Sequence, residues 1–146
     1  MGIRRLVLLF LLLPLTAVAD GLVKKQSVHS VEDTIDRLEE LVTEKGMTVF
    51  ARIDHRANAE SVGMEMSDSQ VLLFGSPKAG TRIMMHDRAA GLDLPLRVLA
   101  YRDHDGNTQV VYRNPQALKQ DFSVDECKVI DKVETALDGL TGQIIQ

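Results

Sequence analysis

Residues 96–114, LRVLAYRDHDGNTQVVYRN, constrain this chain more than any other stretch. Two apolar-polar alternating runs flank an Asp105-Gly106 dipeptide, the composition of a tight β-hairpin connection. Period-two patterning puts alternate side chains on opposite faces of a strand. An isolated hairpin is marginal in water, so further strands must complete a sheet. The chain offers three: Leu22 to His29, MTVFARID (47–54) and QVLLFG (70–75). In MTVFARID, Thr48, Phe50 and Arg52 alternate with Val49, Ala51 and Ile53, which predicts two faces of a regular strand.

Helical spacing fills the gaps between these runs. Ser30, with Asp33 three residues on, makes a near capping box. Val31, Ile35, Leu38 and Leu41 or Val42 then form one apolar stripe, and Gly46 ends the helix. Glu32, Asp36, Glu39 and Glu40 leave the opposite side acidic, as a solvated face is. RANAESVGM predicts a short helix ending near Gly63, and TRIMMHDRAA a longer one stopped by Gly91 and Pro95. A last helix is expected over about 124–140, starting after Ser123 with Glu126 at the capping-box position. The expected fold is therefore α+β, a mainly antiparallel sheet with helices packed on one face in a single domain.

Residues 1–19 read as a cleavable leader rather than as part of that fold. Arg4 and Arg5 precede the apolar run LVLLFLLLPL, and AVA precedes Asp20 as a small-residue cleavage site. The expectation is a domain over 20–146 that is periplasmic or secreted, with no stable membrane insertion after cleavage. The leader carries two of the 17 Lys and Arg and none of the 21 Asp and Glu, so the remainder has a formal charge of 15 − 21 = −6. That balance opposes nucleic-acid binding, which requires cations to replace phosphate counterions. Cys127 is the single cysteine, so no intrachain disulfide can form. It shares helical spacing with Val124, Ile130, Val133, Leu137 and Leu140, and is expected as a small buried hydrophobe.

LLFGSPKAGT (72–81) raises the question of a phosphate cradle. The pattern G-x-x-x-x-G-K-[ST] needs a lysine beside the second glycine. Gly75 and Gly80 have that separation, but Thr81 stands in the lysine position and Pro77 removes a backbone N–H. A nucleoside triphosphatase is not expected. If a helix begins at Thr81, its free N–H groups, with Lys78 and the Thr81 hydroxyl, would suit a small anion or carboxylate.

Three of the four histidines adjoin acids: Asp54-His55, His86-Asp87 and Asp103-His104-Asp105. Strand neighbours point to opposite sides, so adjacency is not contact. Asp54 and His55 end a strand, where loops carry function. No Ser-His-Asp or Cys-His set is legible.

The phrases TVFARIDHRA, VGMEM, LLFGSPKAGT and GLDLPLRVLAYRD, in this order over about residues 30–121, resemble the bacterial and archaeal Domain of Unknown Function 302 family. The resemblance implies a compact α+β domain, often exported, and a plausible homodimer; it implies no established reaction.

The reading preferred is a periplasmic binding module for a small anion or carboxylate, without a cofactor, using Asp54, His55, Lys78 and Thr81. A second reading is copper handling through His55, Met64, Met66, Met84 and His86, on the affinity of thioethers for Cu(I). A third is a hydrolytic or isomerising enzyme with His55 as base and Asp54 orienting it. A sheet edge at the first strand or at TQVVYRN is the expected route to a homodimer.

Overall fold

A computed structural model describes residues 21–146; the expected leader lies outside the described residues. The elements run β1 (Leu22–Ser27), α1 (Val31–Glu44), β2 (Thr48–Asp54), α2 (His55–Ser61), β3 (Ser69–Gly75), α3 (Pro77–His86), β4 (Leu96–Arg102), β5 (Thr108–Arg113), α4 (Leu118–Asp121) and α5 (Val129–Ile144). Single 3-10 turns at Arg88–Leu92 and Pro115–Ala117 lead into β4 and α4. The fold is α+β, with five strands in the order β1-β5-β4-β3-β2, every neighbouring pair antiparallel.

The hairpin is present as its sequence requires. Its turn closes through Asp103, whose Oδ1 accepts from the Asp105 and Asn107 N–H groups, with Gly106 at φ +81°. That left-handed conformation suits glycine, which lacks the Cβ that would clash there. The Asp103 carboxylate is held below its ordinary range, chiefly by the Asn107 N–H and the Gln109 side chain.

One face of the sheet carries the core. Leu72, Phe74, Val98, Ala100, Val110 and Tyr112 meet Val31, Ile35, Leu38 and Val42 of α1 and Leu137, Leu140 and Ile144 of α5. Six of these are alternate strand residues and the others lie three to four apart on helices, so both periodicities read from the sequence converge on one interior. Ser30 caps α1 by accepting from the Asp33 N–H at 3.0 Å, as its spacing predicts.

Four expectations change. The β2 register shifts between Val49 and Ala51, so Phe50 occupies a bulge, 54% exposed. Strict alternation fails there: Val49 stands opposite Phe74 on the core face, whereas Ala51 stands opposite Leu73 on the other. A bulge inserts one unpaired residue and flips the parity beyond it. The last helix starts at Val129 rather than near 124 and runs to Ile144. Val124 and Cys127 are buried as expected, but within turns beside Ile83, Ala90, Leu118 and Ile130. TQVVYRN is no edge, since β5 lies between β1 and β4. α3 begins at Pro77, not at Thr81, with Ser76 accepting from the Ala79 N–H. Proline is suited to a first helical turn because its missing N–H is not needed there.

Candidate functional site

The four residues expected to share one recess lie at two ends of the sheet. Asp54 pairs with Gln70 at the start of β3, whereas Gly75, leading to Lys78 and Thr81, pairs with Thr48. Six strand residues separate these ends, about 20 Å at the rise of an antiparallel strand. The shared recess is therefore corrected: antiparallel pairing of β2 with β3 carries the end of one strand to the beginning of the other.

Each member has a local explanation. Asp54 caps α2, its Oδ1 accepting from the Ala57 N–H at 3.0 Å. Its Oδ2 accepts from Gln70 Nε2 at 3.4 Å, and Gln70 Oε1 accepts in turn from the Arg52 guanidinium. Arg52 reaches Asp36 and Glu39 of α1 at 2.6 and 3.1 Å, which tie the edge strand to the helix. No hydrogen bond joins Asp54 to His55 among the described residues, so the acid-base pair of the third reading is not assembled. Lys78 is exposed in the first turn of α3, and Thr81 lies one turn further in. The glycine segment is helix, so the helix N-terminus sits at Ser76 rather than at Thr81.

The copper set is also dispersed. His55 begins α2, and Met64 and Met66 follow it in an exposed loop, whereas Met84 and His86 belong to α3. α2 packs on β3, but α3 packs on the Arg88–Leu92 turn and α5. Among the described residues no cluster of three His, Cys, Asp or Glu side chains is placed to hold a metal ion.

Two adjoining cavities at the other end of the sheet offer a different site. The first, about 490 Å³, lies between the Arg88–Leu92 turn, the start of β4, the end of β5 and α4. Leu92, Leu94, Leu96, Leu118, Phe122 and Leu137 line its interior, with Arg97, Arg113, Asp93 and Asp121 also contributing. The second, about 320 Å³, is almost wholly apolar and lies between Phe50, the first turns of α3, and Pro95. Leu94 and Leu96 line both. Volumes of this order suit small ligands. Thr81 lines the second cavity but Lys78 lines neither, so the sequence located one wall.

The ionic feature of this end comes from strand register. Val98 pairs with Tyr112 as the last pair of the ladder, and continuing that register by one position brings Arg97 and Arg113 to face each other. Like charges directly opposite on neighbouring strands are destabilising. Arg97 Nη2 donates to the Leu92 carbonyl oxygen at 3.0 Å, which fixes its head beside the cavity. Neither arginine has a carboxylate within ion-pair distance among the described residues, although Asp93 and Asp121 line the same cavity. The sequence pattern alone does not single out these arginines. Arg97 reads there as the polar phase of a strand, and only the register reveals its partner.

Asp87 holds the wall of this site together. Its Oδ1 accepts from the Ala89 N–H at 2.9 Å and its Oδ2 from the Ser123 N–H at 3.0 Å. The backbone donors at Ser123 and then Ala89 hold its carboxyl below the ordinary value of 3.8.

A family model described as Domain of unknown function DUF302 matches residues 23–140. The chain belongs to the DUF302 family. The match extends beyond the motif phrases at both ends, taking in β1 and most of α5. The solved "uncharacterized conserved protein DUF302 from Bacillus stearothermophilus" shares the fold, with a TM-score of 0.68 and 16% identity over 87% of this chain and 97% of that one. Curated relatives include "Fluoride-specific ion channel FluC 1" of Brucella suis biovar 1 (strain 1330), 38% identical over 112 residues. The protein of that name from Brucella abortus biovar 1 (strain 9-941) is also 38% identical over 112 residues. The alignments cover 76% of this DUF302 chain but 44% and 42% of those proteins, so the chain spans less than half the length of the curated relatives it matches. No helix among the described residues is long and apolar enough to cross a membrane.

Proposed function

We propose that this DUF302 chain is a periplasmic binding module for a small organic anion, held in the cavity between β4, β5 and the Arg88–Leu92 turn. The observation that carries this reading is the cross-strand pair Arg97 and Arg113 at an apolar cavity, without an ion-pair partner among the described residues. A guanidinium presents a planar fork of donors that matches two carboxylate or phosphate oxygens. A bound anion would turn the repulsion between the two heads into a shared attraction. The leucines and Phe122 behind them suit an apolar body, so a monocarboxylate with a hydrocarbon or aromatic tail is the ligand class favoured.

The relatives' name supports a second reading, in which the domain serves an anion channel and fluoride is the anion. Fluoride has no paired oxygens to satisfy a guanidinium fork and no apolar body to fill the cavity. The cavity chemistry therefore ranks carboxylates above it. Calorimetric titration with benzoate, octanoate, acetate, phosphate and fluoride at constant ionic strength separates the two. Saturable binding of benzoate or octanoate, lost in Arg97→Met, supports the organic-anion reading; fluoride binding alone supports the channel-linked one.

A further inference from the structure

The segment LLFGSPKAGT contains two glycines that the backbone does not require. Gly75 ends β3 and Gly80 sits inside α3, and neither has the positive φ that Gly46 and Gly106 adopt. Neither is crowded. A Cβ at Gly75 would meet only Pro95 Cβ, at 4.0 Å, and one at Gly80 only Leu94 Cδ1, at 3.9 Å, both ordinary van der Waals separations. Glycine inside a helix is destabilising relative to alanine, so Gly80 weakens α3 without serving a turn. What the two glycines share is the second cavity, which both line. Their missing side chains keep it open.

Phe50 reaches the same space. The bulge takes it out of the β2 alternation and leaves it 54% exposed, and bulges re-aim side chains in this way beside functional sites. Its side chain lines the second cavity, as the exposed Leu92 lines the first.

Charge divides sharply between the two spaces. Arg97, Arg113, Asp93 and Asp121 all line the first, whereas no residue lining the second is charged. Of the two hydroxyls around the second, that of Ser76 is occupied in capping α3. Leu94 and Leu96 form the boundary common to both cavities, and both are half-buried. α5 backs both as well, presenting Leu137 to the first and Val133, one turn earlier, to the second. An anionic head with a long apolar tail matches this division of polarity.

We infer that the ligand is a linear acyl carboxylate long enough to occupy both cavities. Its head lies at Arg97 and Arg113, and its chain runs past Leu94 and Leu96 into the space kept open by Gly75 and Gly80. The inference rests on the anion reading and narrows its ligand: a flexible chain can turn past two leucines, whereas the rigid ring of benzoate stops in the first cavity. Affinity then depends on chain length, since each buried methylene tightens binding by about fourfold.

Isothermal titration of octanoate, decanoate and dodecanoate, each below its micellar range, into the wild-type chain, Gly80→Leu and Arg97→Met tests it. In the wild type, dodecanoate is expected to bind at least tenfold more tightly than octanoate, with decanoate between them. Gly80→Leu sends a side chain into the second cavity and is expected to bring that ratio below about threefold, the growth per methylene being lost. If Gly80→Leu fails to fold, Phe50→Asp, at an exposed position, is expected to do the same. A wild-type ratio near one, with octanoate binding lost in Arg97→Met, would overturn the inference and leave the anion reading standing. A tenfold ratio that survives both cavity variants would also overturn the inference alone. No saturable binding of any of the three acids, or dodecanoate binding indifferent to Arg97→Met, would overturn both.

Discussion

Arg97 and Arg113 flank the Val98–Tyr112 pair that ends the β4–β5 ladder, one position beyond it on facing strands, beside a cavity otherwise lined mostly by apolar side chains. A register one residue different would have set one of them against an apolar partner and turned the other into the core. The hydrophobic pattern of Val98, Ala100, Val110 and Tyr112 forbids that slip, so burial of the core imposes the arginine pair.

Relieving this pair should stabilise the unliganded protein. Arg113→Gln is expected to raise stability by about 0.5 kcal/mol, the scale of a cross-strand pair. Urea unfolding at low ionic strength checks it, and added salt should shrink the difference by screening.

Asp54 is assigned to capping, not to the ligand. Asp54→Ala should cost about 1 kcal/mol, as loss of a helix N-cap does. Anion affinity measured on the same variant should match the wild type. A variant of unchanged stability and lost affinity would return Asp54 to the site.

Asp87 should leave a signature at acid pH. Its folded-state pKa lies below 3.8, so its contribution is present above 3.8 and disappears as pH falls through the lowered folded value. In Asp87→Asn one side-chain oxygen remains to accept, where the carboxylate serves both the Ala89 and Ser123 N–H groups. The stability gap between wild type and variant should be constant from pH 7 to 5 and narrow as pH falls below 3.8 through the lowered folded value. Urea midpoints at each pH supply the curve.

The core should respond as a close-packed interior. Phe74 and Leu72 are fully buried between the sheet and the helices. Phe74→Ala should cost about 3–5 kcal/mol and Leu72→Ala about 2–5 kcal/mol, by lost transfer energy plus the cavity left behind. Calorimetric melting of both variants provides the comparison.

Much of the architecture is legible in residues that act locally. Ser30 and Asp33 start α1, Gly46 at φ +71° ends it, and Asp105-Gly106 turns the hairpin. The features that escape the sequence depend on distant partners. Phe50 looks like one more alternating residue, and only its pairing with β3 reveals a bulge. Gly75 and Gly80 suggest a loop, yet Ser76 and Pro77 already supply a cap and a first turn, and helix resumes at once. Val124 and Cys127 keep helical spacing in a segment that buries them through successive turns instead. The candidate site is the least legible part. Asp54 and Thr81 were visible but lie at opposite ends, while Arg97, Arg113 and Leu94 converge only once four segments have folded together.

Isothermal titration of benzoate into the wild-type chain and into an Arg97→Met, Arg113→Met double variant decides whether the two guanidinium groups hold an organic anion. Saturable binding to the wild type is expected, weakened at least tenfold in a double variant of unchanged fold. Equal affinity in the two proteins, or no saturable binding of benzoate, octanoate or phosphate to the wild type, would contradict it.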